Sequence, residues 1–67
     1  MSIDQYWYNV IWSSLDKEYV ALCAEFPSLS YLASTHAEAL AGIRQRVAET
    51  VAELIADGEP VPRPISP

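Results

Sequence analysis

The apolar residues of this chain follow strand-like alternation over the first half and helical spacing over the second half. Residues 6–12 are rich in aromatic and β-branched side chains, which favours a strand. A polar loop at 13–17 leads to a return strand at 18–26, and Pro27 ends that strand because proline cannot donate to a sheet ladder. Residues 30–34 predict a short third strand.

The second predicted strand has one wholly apolar face. That face consists of Val20, Leu22, Ala24 and Phe26. The opposite face holds Tyr19, Ala21, Cys23 and Glu25. Since successive strand residues point to opposite sides, we expect the wholly apolar face to lie against the core.

A long amphipathic helix follows. Thr35 and Glu38 have the spacing of a capping box, in which the threonine hydroxyl accepts from the Glu38 amide. Apolar residues then recur at helical spacing. They are Leu40, Ile43, Val47, Val51, Leu54 and Ile55. Gly58 follows them in the place where a left-handed residue commonly ends a helix.

The last residues are rich in proline, which excludes a helix or a central strand and predicts an extended segment with at most a short fourth strand. We therefore predict a domain at 1–58 and a proline-rich extended tail or linker at 59–67. The predicted fold class is α+β: a three-stranded antiparallel sheet covered by one long helix, in the order β-β-β-α(-β).

Charge and composition exclude several functions. Nine acidic and four basic residues give a net charge of −5, and the cations Lys17, Arg44, Arg46 and Arg63 are spread along the chain. Nucleic-acid binding needs cations grouped against phosphates, so we expect none through this chain alone. The uncharged runs are too short and polar for a bilayer helix, and the N-terminus lacks the basic residues of a secretory signal. We expect a cytoplasmic protein without membrane contact.

The residues offer little for catalysis, metal binding or cofactor binding. His36 has no second histidine near it, and Cys23 has no basic neighbour, so we expect a capping-turn residue and a buried core thiol. The acidic residues considered for a divalent metal fall at different ends and faces of the predicted sheet. They are Asp4, Asp16, Glu18, Glu25 and Glu38. We expect no enzyme and no cofactor.

Aromatic residues exceed what a small core requires. Seven rings are present, six of them within the first 26 residues. A sheet covered by one helix buries only one face, so large rings must also lie on the other, where monomers seldom leave apolar patches. Together with the small size of the domain, this predicts an oligomer or a tight protein partner.

Four segments of the chain resemble the N-terminal domain of the HicB antitoxin family. The first two are Tyr-Asn-Val-Ile-Trp at 8–12 and Tyr-Val-Ala-Leu-Cys-Ala-Glu-Phe-Pro-Ser-Leu at 19–29. The third begins at Thr35 and includes Glu-Ala-Leu-Ala-Gly-Ile at 38–43, and the fourth is Asp-Gly-Glu-Pro-Val-Pro at 57–62. The resemblance covers residues 6–66, and it is the combination of segments that is specific.

The resemblance implies a degraded RNase H-like fold that lacks the nuclease carboxylates. It implies an antitoxin of a type II toxin–antitoxin pair, which masks a basic HicA-type mRNA interferase and forms a homodimer or homotetramer. Many family members carry a further DNA-binding domain after the proline-rich linker. This sequence stops at Pro67, just past that linker, so it is either a naturally short member or a fragment of a longer antitoxin, and the sequence does not assign autorepression to this chain.

The leading hypothesis is thus a HicB-like antitoxin module that binds a basic toxin. Its candidate partner-binding residues are Trp7, Trp12, Asp16, Glu18, Phe26 and Pro27. The alternative is an orphan oligomeric HicB-like domain with a structural or interaction role and no toxin. A third hypothesis, a small metal-dependent hydrolase using Asp4 or Glu25, is disfavoured by the scattered carboxylates.

Overall fold

A computed structural model describes residues 3–65 as an antiparallel sheet with one helix packed across it. The strands are β1 (Tyr8–Ser13), β2 (Glu18–Cys23) and β3 (Ser30–Ala33), and the helix is α1 (His36–Ala56). A single turn of 3-10 helix at Ile3–Gln5 precedes them. The sheet order is β1-β2-β3, which confirms the predicted α+β arrangement of three antiparallel strands followed by one helix.

The strands differ from the predicted ones mainly at two ends. β1 begins at Tyr8 because Tyr6 turns into the core, where only 5% of it is exposed. β2 ends at Cys23, since the Phe26 amide donates to the Cys23 carbonyl at 3.1 Å and turns the chain before Pro27. A second such turn, from the Leu29 amide to the Phe26 carbonyl, leads to β3.

The prediction of the core face of β2 was wrong for Val20, Leu22 and Ala24, and only Phe26 of that set is in the core. Ala21 and Cys23 are fully buried under α1, whereas Val20 and Leu22 are only half-buried and Ala24 is exposed. Small side chains lie here because the helix crosses close above the central strand, and the larger Tyr8 and Tyr31 flank it from β1 and β3. The sequence prediction selected the more hydrophobic face of β2, but only small side chains fit between this strand and the helix.

The helix begins where the capping box predicts. The Thr35 hydroxyl accepts from the Glu38 amide at 3.1 Å, and it donates to the Glu38 carboxylate at 2.9 Å. At the other end, the Gly58 and Glu59 amides donate to the Ile55 and Leu54 carbonyls, the two bonds of a Schellman motif. Gly58 has φ of +72°, so the predicted left-handed helix end is confirmed.

Ala39, Ile43 and Val47 are the fully buried residues of α1, and Leu40, Val51 and Leu54 pack at their sides. Ile55, predicted as part of the apolar stripe, is 66% exposed, whereas Leu54 beside it packs against the core.

One close contact fixes the helix over the sheet. The Tyr31 ring of β3 lies against the backbone of α1 at Gly42, where a Cβ atom would overlap the ring carbons. Arg46, one turn along the helix, covers the same ring, with its guanidinium carbon 5.6 Å from the ring centre. The reason for a glycine at position 42 is therefore the lack of space for a side chain. Its backbone has the ordinary helical conformation, which any residue can adopt.

The chain after the helix returns to the sheet. Residues 59–65, here called the C-terminal strap, form neither a helix nor a strand, so the possible fourth strand is absent from the described residues. The strap nevertheless packs on the domain, with Val61 against the core and two hydrogen bonds described below. The outer ends of the predicted domain and tail, residues 1–2 and 66–67, lie outside the described residues.

Candidate protein-binding surface

The side of the sheet away from α1 forms an apolar surface, here called the outer face. Its cross-strand pairs place Ile11 beside Val20 and Val20 beside Leu32, in one row across all three strands. A second row joins Asn9, Leu22 and Ser30. Trp7 extends the face beyond β1, because its carbonyl accepts from the Ala24 amide at 3.0 Å.

The outer face is exposed to an unusual degree for its composition. Trp7 is 57% exposed, Ile11 47% and Leu32 43%, and they lie on one continuous side of the sheet. None of the side chains in these two rows is charged. Glu18, paired with Ser13, follows in the next row toward the hairpin, and the buried Glu25 carboxylate binds the Trp7 amide. An exposed apolar sheet face of this kind is typical of a protein-binding surface.

A shallow depression lies at the Trp7 end of the outer face. Its volume is about 290 Å³. Its walls are Trp7, Asn9, Leu22, Cys23, Ala24 and Pro27. A depression with an indole on one side and a proline on the other suits an apolar side chain from another protein.

Five of the six predicted partner-binding residues separate into two groups. Trp7 and Pro27 lie together at the depression. Trp12 points to the helix side of the sheet instead, where it meets Tyr19 edge to face at 5.1 Å between ring centres. Asp16 and Glu18 lie at the hairpin beyond Trp12, and Asp16 accepts from the Ser13 hydroxyl at 3.0 Å.

Phe26 differs from the other five because its side chain is in the core. It is 9% exposed and packs edge to face on Tyr6 at 5.7 Å between ring centres. The chain turns at Phe26, so its ring is buried while Pro27 next to it is exposed. The Phe26 ring is therefore part of the core and does not line the depression or the outer face.

Sequence reasoning missed the part played by Glu25, which it placed on the face opposite the core. Glu25 is 8% exposed, and its carboxylate joins three parts of the chain. Oε1 accepts from the Trp7 amide at 3.0 Å and from the Cys23 thiol at 3.4 Å, and Oε2 accepts from the Ile65 amide of the strap at 2.8 Å. The sequence signal for a buried Glu25 was its position between the apolar residues Ala24 and Phe26, directly before the turn at Pro27.

The surroundings of Glu25 keep it ionised and keep its neighbours protonated. Burial acts to raise the pKa of Glu25, but the Ile65 and Trp7 amides together hold that pKa below its usual value. Burial raises the pKa of the Cys23 thiol and raises the pKa of Tyr8 to about 12. A protonated, buried thiol is a poor nucleophile, so the hydrogen bonds around Glu25 serve to hold segments of the chain together.

The carboxylates considered for a metal site do not meet. Asp4 forms an ion pair with Arg44, whereas Glu25 is bound by backbone amides. Among residues 3–65 no group of three His, Cys, Asp or Glu side chains is arranged to hold a metal ion. Within the same range, no helix combines the length and the apolar character needed to cross a bilayer.

Two of the four basic residues are engaged with tyrosines. The guanidinium carbon of Arg44 lies 5.3 Å from the ring centre of Tyr8, and Arg46 covers Tyr31.

Comparison of the chain with protein-family models, with curated proteins and with solved structures finds no match. The case for a function therefore depends on the surface and on the sequence.

Proposed function

We propose that this protein is a HicB-like antitoxin module, and that its outer face covers a basic ribonuclease toxin of the HicA type. The observation that carries the proposal is the exposed apolar sheet face with Trp7, Ile11 and Leu32 at its surface. The resemblance of four sequence segments to the HicB family supplies the identity of the partner. An RNase H-like ancestry of the fold belongs to the same proposal.

Charge supports the choice of a basic partner. The chain has a net charge of −5, and the two cross-strand rows of the outer face hold none of its charged side chains. A basic toxin would be attracted over a long range by this charge and held at short range by apolar contact. The proposal places the pair in the cytoplasm, where an mRNA interferase acts, and assigns the antitoxin no catalytic step.

Co-expression with the basic toxin from the neighbouring reading frame tests the proposal. Ile11→Glu places a charge in the centre of the outer face, and Ile55→Glu makes the same change at an isoleucine at the end of α1, with 47% and 66% exposure respectively. We expect the wild type and Ile55→Glu to restore growth and to co-purify with the toxin. Ile11→Glu should weaken binding by at least tenfold, because a buried unpaired charge costs well over 1.4 kcal/mol.

Two results would contradict the proposal: unchanged toxicity without a complex for the wild type, or equal binding by the two variants. Each protein is first checked by far-ultraviolet circular dichroism, so that a loss of binding can be separated from a loss of fold.

A second candidate, an orphan oligomer without a toxin, is favoured by one observation. The rows that join Ile11 to Leu32 and Asn9 to Ser30 contain no charged residue, so two acidic copies can pack there through apolar and neutral side chains. Analytical ultracentrifugation of the wild type and of Ile11→Glu distinguishes the candidates. An oligomer that Ile11→Glu dissociates, together with no toxin binding, would favour the orphan role.

A further inference from the structure

The C-terminal strap is attached to the domain at few points. Val61 packs against the core, the Tyr6 hydroxyl donates to the Pro62 carbonyl at 2.6 Å, and the Ile65 amide donates to Glu25 at 2.8 Å. Prolines at 60, 62 and 64 leave only four backbone amides in the strap and restrict its backbone. A short, stiff segment fixed at separate points can detach as a unit.

Glu25 is the strongest of these attachments. Its carboxylate is buried, and the titratable groups nearest to it are Cys23, Tyr6 and Tyr8. All three are protonated at neutral pH, since their ordinary pKa values lie above it and burial raises those pKa values further. Arg63, the one cation of the strap, has its side chain exposed. The negative charge is thus stabilised by the Trp7 and Ile65 amides, and charged acceptors make the stronger hydrogen bonds.

We propose that the strap is a clasp which opens separately from the sheet and helix, that ionised Glu25 holds it closed, and that it covers the end of the core containing Tyr6 and Cys23. Closing it completes the burial of Tyr6, which is 5% exposed, and of Cys23, which is 1% exposed. Opening it removes the Ile65 amide from Glu25 and leaves that carboxylate with the Trp7 amide and the Cys23 thiol as its donors.

The clasp is also connected to the outer face. Glu25 binds the Trp7 amide through Oε1 and the Ile65 amide through Oε2, so one side chain fixes both the first residue of the outer face and the last described residue of the strap. Opening the strap therefore loosens the backbone that presents Trp7. Because such coupling is reciprocal, any molecule that fixes Trp7 will favour the closed strap. The clasp itself requires no particular partner.

The test compares Ile65→Pro with Ile65→Ala in the full chain. The Ile65 side chain is 67% exposed, so alanine removes little packing and keeps the amide, whereas proline removes the amide that Glu25 accepts. Glu25→Gln tests the acceptor, because a carboxamide must turn its NH₂ group toward one of the two amides. Two readouts are used: the methyl shifts of Val61 in NMR spectra, and the rate at which Cys23, the sole cysteine, reacts with Ellman's reagent.

For Ile65→Pro and Glu25→Gln we expect Val61 methyl shifts that move toward unfolded values and thiol labelling about tenfold faster than in the wild type. Ile65→Ala should keep the wild-type rate. The urea midpoint of Ile65→Pro, followed by circular dichroism of the helix, should stay close to that of the wild type. If Glu25→Gln fails to fold, the Ile65 pair decides alone. Equal labelling of Ile65→Pro and Ile65→Ala would overturn the proposal, as would labelling of Ile65→Pro that increases only in proportion to its own global unfolding.

Discussion

At the scale of single residues, Glu25 shows how one buried charge connects distant parts of the chain. The donors to its carboxylate lie 18 residues away at Trp7 and 40 residues away at Ile65. A buried carboxylate is costly unless hydrogen bonds replace its water, and here backbone amides do so. All buried side-chain nitrogen and oxygen atoms among residues 3–65 have a hydrogen-bond partner.

This arrangement predicts an acid-dependent loss of stability. Since the folded-state pKa of Glu25 lies below its usual value, its stabilising contribution is complete above the unfolded pKa, which is about 4.3. It is lost as the pH falls through the lower folded pKa. We expect Glu25→Gln to reduce the free energy of unfolding by about 1–3 kcal/mol at pH 7, and the difference from the wild type to shrink below about pH 4.

Urea unfolding followed by circular dichroism at pH 7, 5, 4 and 3 measures this difference. Glu53→Gln, which neutralises an exposed carboxylate on α1, is the control and should leave the free energy of unfolding nearly unchanged. A difference between Glu25→Gln and the wild type that persisted undiminished at pH 3 would contradict the assigned role of the carboxylate.

Among the helices and strands, local signals were the reliable ones. Thr35 with Glu38 and Gly58 identified both ends of α1, because a cap depends on residues within one turn of each other. The buried face of β2 depends instead on how closely α1 approaches, which the composition of β2 does not reveal. The burial of Glu25 depends on a strap 40 residues away, so no pattern within β2 could predict its partner.

The contact between α1 and β3 gives a prediction at the same scale. In Gly42→Ala the new methyl group overlaps the Tyr31 ring, so the ring or the helix must move. Overpacking costs about 1–3 kcal/mol, and the better helix propensity of alanine returns up to about 1 kcal/mol. We expect a net loss of about 1–2 kcal/mol in the free energy of unfolding.

A double-mutant cycle with Tyr31→Ala isolates this overlap. Once the ring is gone, Gly42→Ala should become neutral or stabilising, since only the helix propensity remains. Chemical denaturation of the four proteins measures the coupling. A Gly42→Ala variant as stable as the wild type would mean that the ring has room to move aside.

At the scale of the whole molecule, the two tryptophans distinguish the two surfaces that a partner could cover. Trp7 lies on the outer face and Trp12 on the helix side near the hairpin, and they are 57% and 56% exposed. Alternation along the first strand puts them on opposite faces, but sequence reasoning kept both as candidate anchors, because it did not establish which side of the sheet the helix covers. This equal exposure makes them matched reporters.

The proposed binding of a toxin through the outer face predicts unequal shielding of these reporters. Trp12→Phe leaves Trp7 as the single tryptophan, and Trp7→Phe leaves Trp12. In the unbound protein, acrylamide should quench the fluorescence of both to a similar extent. With a toxin that contains no tryptophan added in excess, quenching of Trp7 should fall severalfold while that of Trp12 stays nearly constant, because only the outer face loses contact with water. Shielding of Trp12 alone would indicate that the toxin binds at the acidic hairpin with Asp16 and Glu18. Shielding of neither tryptophan would indicate that the toxin does not bind the sheet.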